Sequence, residues 1–360
     1  MKNAAPPTES VAIGMLEPQL GFFRKMLKAQ SFQILLVLIA IVLIFTALAP
    51  DTFAQWSNFR LVIQNASILA VLAVGMTFVI ITAGIDLSIG SVLVFSGVVS
   101  AITMRELGGE GWGVAIIGIV VAILSGTAWG FLNGFLITKG KIPPLIVTLG
   151  SLGMALGLAL VLSGGIDIRE VPEELRSSIG FGNVFGTIPI ISVIALGIVL
   201  LGAFLLHFTR FGLYTYAVGS SEIAARRVGV KVDRHLIQVY MLAGSLAGVA
   251  GILSLSQFGT TAIGGQSQTN LNVIAAVVIG GTSLFGGIGT IFGTVVGLFI
   301  PAVLQNGFVI TGVQPFWQQV AVGVVLITAV YIDQTRRSAA MRGSKPPSLW
   351  RKFVSGNRRE

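Results

Sequence analysis

No cysteine occurs in this 360-residue chain, which excludes disulfides, iron–sulfur clusters and thiolate zinc sites. Only two histidines are present, His207 and His235, so a histidine-based metal centre is not expected. Charge is scarce too. Charged residues make up 10% of the chain, against about 25% in a soluble domain, and hydrophobic residues 54%. With a mean hydropathy of +0.90, this is the composition of an integral membrane protein. The spans lack a chain of carboxylates and histidines, an arginine ladder and a filter-like glycine–aromatic sequence. Those absences argue against proton-coupled pumping, voltage sensing and a selective ion channel. Residues 134–141 superficially resemble a phosphate loop. The spacing is one residue too long, however, and Ile142 stands where Ser or Thr would bind magnesium. No nucleotide site, metal site or catalytic residue is read, and no cofactor is expected.

What remains is a series of apolar runs. A span needs roughly 20 predominantly apolar residues, and about ten segments qualify: 32–49, 61–83, 89–104, 113–137, 143–162, 189–208, 236–258, 271–281, 288–305 and 316–332. Residues 1–30 lack a signal-peptide core and cleavage site, so the first run reads as a retained span. The predicted organisation is an all-α polytopic protein. A short segment (1–31) precedes a transmembrane domain (32–333), and a basic tail (334–360) follows it.

The net charge of +9 is not laid along a groove interleaved with stacking aromatics, so nucleic acid is discounted. The basic residues sit between the apolar runs instead. With the N-terminus in the cytoplasm, ten spans place Lys139 and Lys141 inside, along with Arg210, Arg226, Arg227, Lys231, Arg234 and the tail. Mixed or acidic loops fall outside. That is the bias which orients membrane proteins, and nine or eleven spans would break it. Solubility or attraction to anionic lipid accounts for the tail charges at 342–359.

An internal repeat supports the count. Asn133-Gly134-Phe135-Leu136-Ile137-Thr138 recurs as Asn306-Gly307-Phe308-Val309-Ile310-Thr311, and a proline opens the next run each time. The two copies fall on opposite faces in the assigned topology, as in the inverted repeats of many transporters. Small residues stack at helical spacing at Gly126, Gly130 and Gly134, at Gly244 and Gly248, and at Gly289, Gly293 and Gly297. They read mainly as tight helix packing.

The stretch that organises the chain is a basic island at 209–235. Its middle, 220–229, reads as a short helix capped by Ser220 or Ser221. Glu222 suits the positive end of the dipole, and Gly229 is the stop. A short helix with nothing of its own to pack against needs an outside partner, so the loop is expected to dock onto another protein on the cytoplasmic side. Asp86 lies in Gly84-Ile85-Asp86-Leu87-Ser88-Ile89-Gly90 at membrane depth, where it can cap the helix starting near Ser88, contact a solute, or both. Gly280–Gly289 reads as the equivalent break of the second half. Asn65, Asn133, Gln257, Asn270, Asn272 and Gln305 are uncharged amides suited to a path for a neutral polyhydroxyl solute. Interhelical hydrogen bonds are the alternative for each of them.

These motifs carry a resemblance. The stretches 84–91 (GIDLSIGS), 133–150 (NGFLITKGKIPPLIVTLG), 210–230 and 274–287 (IAAVVIGGTSLFGG) resemble the permease subunit of bacterial ribose-, xylose- and arabinose-type sugar ABC importers. The resemblance runs from about Phe32 to Asp333. It implies a type II importer-like permease in a bacterial inner membrane, translocating a monosaccharide or related polyol, paired with a second permease copy. It further implies a separate ATPase, often two fused nucleotide-binding domains that bind the ATP, and an extracytoplasmic sugar-binding protein. The island would be the coupling helix, with Glu222, Ala225, Arg226 and Gly229 its contact residues, and Asp86, Ser88, Asn133, Gln257, Asn270 and Asn272 would be candidates for the path. Many relatives carry an acidic pair where this chain has Asn270 and Asn272, a departure that bears on the solute. A self-powered carrier or facilitator, or a nucleoside or signal-molecule permease, is the competing reading.

Overall fold

The computed structural model describes residues 30–341 apart from 267 and 315. The expected N-terminal segment and most of the basic tail lie outside the described residues. Thirteen α-helices follow in order: α1 (Gln30–Leu48), α2 (Pro50–Phe53), α3 (Trp56–Ile81), α4 (Ile89–Glu106), α5 (Trp112–Thr138), α6 (Pro144–Ser163), α7 (Ile190–Phe208), α8 (Arg210–Ser220), α9 (Glu222–Arg227), α10 (Val232–Phe258), α11 (Thr269–Ile279), α12 (Ile291–Ile310) and α13 (Phe316–Met341). Seven of them, α3–α7, α10 and α12, are long and apolar enough to cross a membrane, and α1, α11 and α13 carry shorter apolar stretches. Helices are what such a sequence must form. In lipid every backbone polar group has to be satisfied within the protein, and a continuous apolar run does so within itself as a helix. The punctuation is local: Pro144 opens α6, and α6 and α10 end on left-handed Gly164 and Gly259. Between α6 and α7 the chain forms a short π-helix (Leu175–Gly180) and a two-residue β-hairpin, which no sequence pattern foretold.

α10 is the hub, packing along α5, α3 and α4. At its crossing with α5 the backbones touch. A Cβ on Gly126 would overlap the Gly244 carbonyl, and one on Gly244 would overlap the Gly126 carbonyl. The small-residue ridges therefore serve as a close helix crossing where lipid supplies no hydrophobic drive.

The repeat is visible in the packing. α4 lies on α5 and α6 as α11 lies on α12 and α13, while α3 packs into α11 and α12 and α10 into α4 and α5. Each half thus lends its first long helix to the other. The copies run in opposite directions. Lys139, just after the first copy, pairs with Asp233 at the start of α10, whereas Asn306 in the second copy exchanges hydrogen bonds of 3.0 and 2.7 Å with Asn58 at the start of α3. One expectation fails on this register. The counterpart of the Asp86 turn, which follows α3, is the segment after α10 (259–268), and Gly280–Gly289 corresponds to the α4–α5 turn. The two glycine-containing breaks nonetheless meet at one end of the bundle, where the Gly287 N–H donates to the Ile81 carbonyl at 2.8 Å.

Candidate functional site

At that end the basic island folds as two helices rather than one. Thr209 caps α8, accepting from the Gly212 N–H at 3.4 Å, and α8 runs through Ser220. Ser221 then breaks the helix in extended backbone and caps α9, accepting from the Ala224 N–H at 3.3 Å. The cap is therefore Ser221 and not Ser220. Gly229 closes the unit with φ +89°, a left-handed conformation that glycine takes without strain.

α8 is the inner layer of this unit. The Tyr216 hydroxyl donates to the Gly289 carbonyl at 2.6 Å, the Phe211 ring packs at a tilt against Phe78 and His235, and Thr215 bonds the His235 ring at 3.0 Å. Gly219 is wedged so tightly that a Cβ there would overlap the Ile81 carbonyl and lie 2.7 Å from the Gly287 nitrogen. α8 thus touches both breaks at once.

α9 is the outer layer. Ala225 is buried in a small cluster with Val218 and Val232. Glu222 Oε1 accepts from Arg226 Nε and Nη2 at 3.0 and 2.9 Å. Arg226 also bonds Asp233, which takes Lys139 Nζ at 3.2 Å on its other oxygen. The Asp233 carboxylate, then Glu222, holds the Arg226 guanidinium above its ordinary value. The chain Glu222–Arg226–Asp233–Lys139 ties α9 to α10 and to the connection after α5. Ile223 and Val228 point the other way, 69% and 79% exposed. Sequence reasoning passed over both of these, and over Asp233 and Lys139 as partners of Arg226. The signal available was only an apolar residue directly after a charge, at 223 and at 228.

The path candidates separate into groups. Asp86 is 3% exposed, and its Oδ1 accepts from the Ser88 N–H at 2.8 Å and the Ser88 hydroxyl at 2.6 Å, so it organises the turn that starts α4. Asn133 donates to Ser88 Oγ at 3.0 Å and accepts from Ser151 Oγ at 2.5 Å. Asp86, Ser88 and Asn133 are therefore one buried network with Ser151, a member the sequence did not single out. Asn270 reaches the first turn of the same helix from the other half, its Oδ1 accepting from the Gly90 N–H at 2.5 Å. Gln257 lies at the opposite end of the bundle, bonded to Asn65 at 3.0 Å, and Asn272 is half-buried on α11. Among the described residues no cation pairs with Asp86, and no group of three His, Cys, Asp or Glu could hold a metal.

Comparison with known proteins fits this arrangement. The family model "Branched-chain amino acid transport system / permease component" matches residues 59–330. Ribose import permease protein RbsC of Escherichia coli K12 is 37% identical over 317 residues, covering 87% of this chain and 95% of its own. RbsC of Bacillus subtilis is 37% identical over 303 residues, covering 82% and 90%. Fructose import permease protein FrcC of Rhizobium meliloti is 33% identical over 315 residues, covering 85% and 86%. No solved structure shows significant similarity. With the matched region enclosing the hub helix α10, the repeat and the α8–α9 unit, the chain belongs to the branched-chain amino acid transport system permease component family.

Proposed function

We propose that this chain is the transmembrane permease of a monosaccharide importer, gripped through α8–α9 by a separate ATPase. A second permease copy and an extracytoplasmic sugar-binding protein complete the assembly. The ribose and fructose names of the relatives support the solute class. One observation carries the mechanism. α9 offers Ile223 and Val228 outward while its ion pairs fasten it to α10 and the α5–α6 connection, and the Gly219 wedge on the preceding α8 bears on both breaks. Pushing on α9 therefore displaces the ends of α3 and α10 and the 280–290 loop together. Glu222, Ala225, Arg226 and Gly229 shape this handle. The chain performs no chemistry and needs no cofactor of its own, because ATP is bound and cleaved in the partner.

In this reading α8–α9 and both termini face the cytoplasm, in keeping with the basic residues at that end. The binding protein docks at the opposite end. There Asp167 pins the two outer loops together through Thr261 Oγ1 at 3.0 Å and the Ile263 N–H at 2.8 Å. Asp86, Ser88, Asn133 and Asn270 hold the break beside the path, Asn272 follows on α11, and Gln257 belongs to the outer half. The decisive experiment reconstitutes the chain in liposomes with and without its ATPase and binding protein. Uptake should need all three, and equilibration of sugar by the permease alone would instead identify a facilitator.

A further inference from the structure

Between Tyr214 of α8 and the start of α10 lies a cavity of about 330 Å³. Lys231, Arg234, His235 and Gln238 line it, and their spacing of i, i+3, i+4 and i+7 sets them on one helix face. His235 is buried and bonded to Thr215. The Tyr214 hydroxyl, Lys231, Arg234 and Gln238 are different. None has a side-chain hydrogen bond or ion pair among the described residues. No carboxylate lines the cavity among the described residues, and Asp233, next to Arg234 in sequence, is taken by Arg226 and Lys139. The cations at this end therefore fall into two sets. Arg226 and Lys139 are paired, whereas Lys231 and Arg234 share a cavity with their charge uncompensated.

Two cations beside a hydroxyl and an amide, all four able to donate, describe a site for an oxyanion. The guanidinium fork suits the oxygens of a phosphate, and lysine adds a point charge. Position selects which phosphate. Lys231 precedes the first residue of a 27-residue apolar helix, and Gln238 lies about 10 Å further along it. The cavity thus runs from the water into the headgroup layer of the membrane that α10 crosses. Apolar side chains stand next to it: Leu213, the neighbour of Tyr214, is 64% exposed, and Phe208, just before α8, is 78% exposed. A soluble anion would satisfy the cations and leave those side chains bare, whereas a lipid covers both. We infer that this cavity seats the phosphate of an anionic phospholipid from the cytoplasmic leaflet. A zwitterionic lipid is the poorer fit, because its own ammonium group meets two uncompensated cations. The lipid bridges α8 and α10, the helices on either side of α9, and so clasps the base of the handle. The inference rests on the cytoplasmic orientation of α8–α9 proposed above and goes beyond it by adding a lipid partner.

The test follows the lipid kept by the full-length permease on release from nanodiscs of mixed phosphatidylglycerol and phosphatidylcholine, read by native mass spectrometry. The permease should keep phosphatidylglycerol in preference. Lys231→Gln with Arg234→Gln should lower that preference about thirtyfold, roughly fivefold for each basic charge. Both side chains are exposed and unpartnered, so the fold tolerates the change. Taking the same charge from outside the cavity, as Lys141→Gln with Arg227→Gln, should leave the preference in place. Added glycerol 3-phosphate should not displace the lipid. No preference, or an equal loss in both double variants, would overturn the assignment. Displacement by glycerol 3-phosphate would overturn it too, by making the site one for a soluble phosphate. So would loss of ATPase capture in Lys231→Gln with Arg234→Gln while the lipid stays bound, which would give the cavity to the ATPase. ATP-driven uptake by the assembled complex is read separately. Lipid preference without uptake would sink the importer reading and spare the site, and uptake without lipid preference would do the reverse.

Discussion

Reversing one charge on α9 should separate coupling from folding. Glu222 and Arg226 are half-exposed and form an i,i+4 pair. Such a pair contributes about 0.3–0.5 kcal/mol, and a like-charge pair in its place costs a similar amount. Glu222→Lys therefore costs the fold about 1 kcal/mol at most, and less than that where Arg226 keeps its bond to Asp233. Ala225, which anchors α9 to the body, is untouched. The partner's loss is of another order. Truncating one member of a charge pair desolvated at an interface costs about 2–5 kcal/mol, and reversing its sign adds repulsion. At about 1.4 kcal/mol per tenfold, ATP-dependent uptake should fall by at least about thirtyfold. The assay pairs uptake in proteoliposomes with co-purification of the ATPase and a thermal melt of the permease alone. Uptake and capture should fail while the melting temperature stays within a few degrees. Normal uptake, or a collapse of the melt equal to the loss of uptake, would refute the reasoning.

Other outcomes follow from the same geometry. Replacing Ile223 and Val228 together with serine should leave the isolated permease as stable as before, or slightly more so, yet weaken ATPase capture by tenfold or more. Each exposed side chain contributes about 1.5–3 kcal/mol when a partner covers it, and a titration of labelled ATPase reads the change. Asn133→Ala strips the Ser88 and Ser151 hydroxyls of a buried partner, a loss of about 1–3 kcal/mol that should lower the melting temperature without altering surface binding of the ATPase. Gly244→Val drives a side chain into the Gly126 carbonyl at the α5–α10 crossing, and size-exclusion chromatography should show aggregated or degraded protein.

Much of this architecture was written in the hydropathy. Every apolar run became a helix, because a continuous apolar run in lipid satisfies its own backbone groups that way, and the prolines and glycines that bound the runs bound the helices too. The NGFLIT repeat likewise marked two helix ends, with Thr138 and Thr311 each bonding back to a glycine carbonyl four residues earlier, at 2.8 and 2.7 Å. Ser221 as a cap and Gly229 as a stop were legible because caps are local chemistry.

Pairings between distant segments were not legible. Nothing in the order of residues says that Asn133 meets Ser151 or that Asn58 meets Asn306. Nor does it say that Asp233 receives both Arg226 and Lys139. The misassigned equivalence of Gly280–Gly289 had the same origin: glycine content is a local property, whereas register within an inverted repeat depends on which helix precedes the break. By itself the sequence determined that the chain is a bundle of membrane helices with one polar unit set between them, since solvation and backbone satisfaction act residue by residue. Only the tertiary structure decided that this unit leans on both breaks and shares a cavity with the start of α10, because those contacts depend on helices crossing at particular glycines.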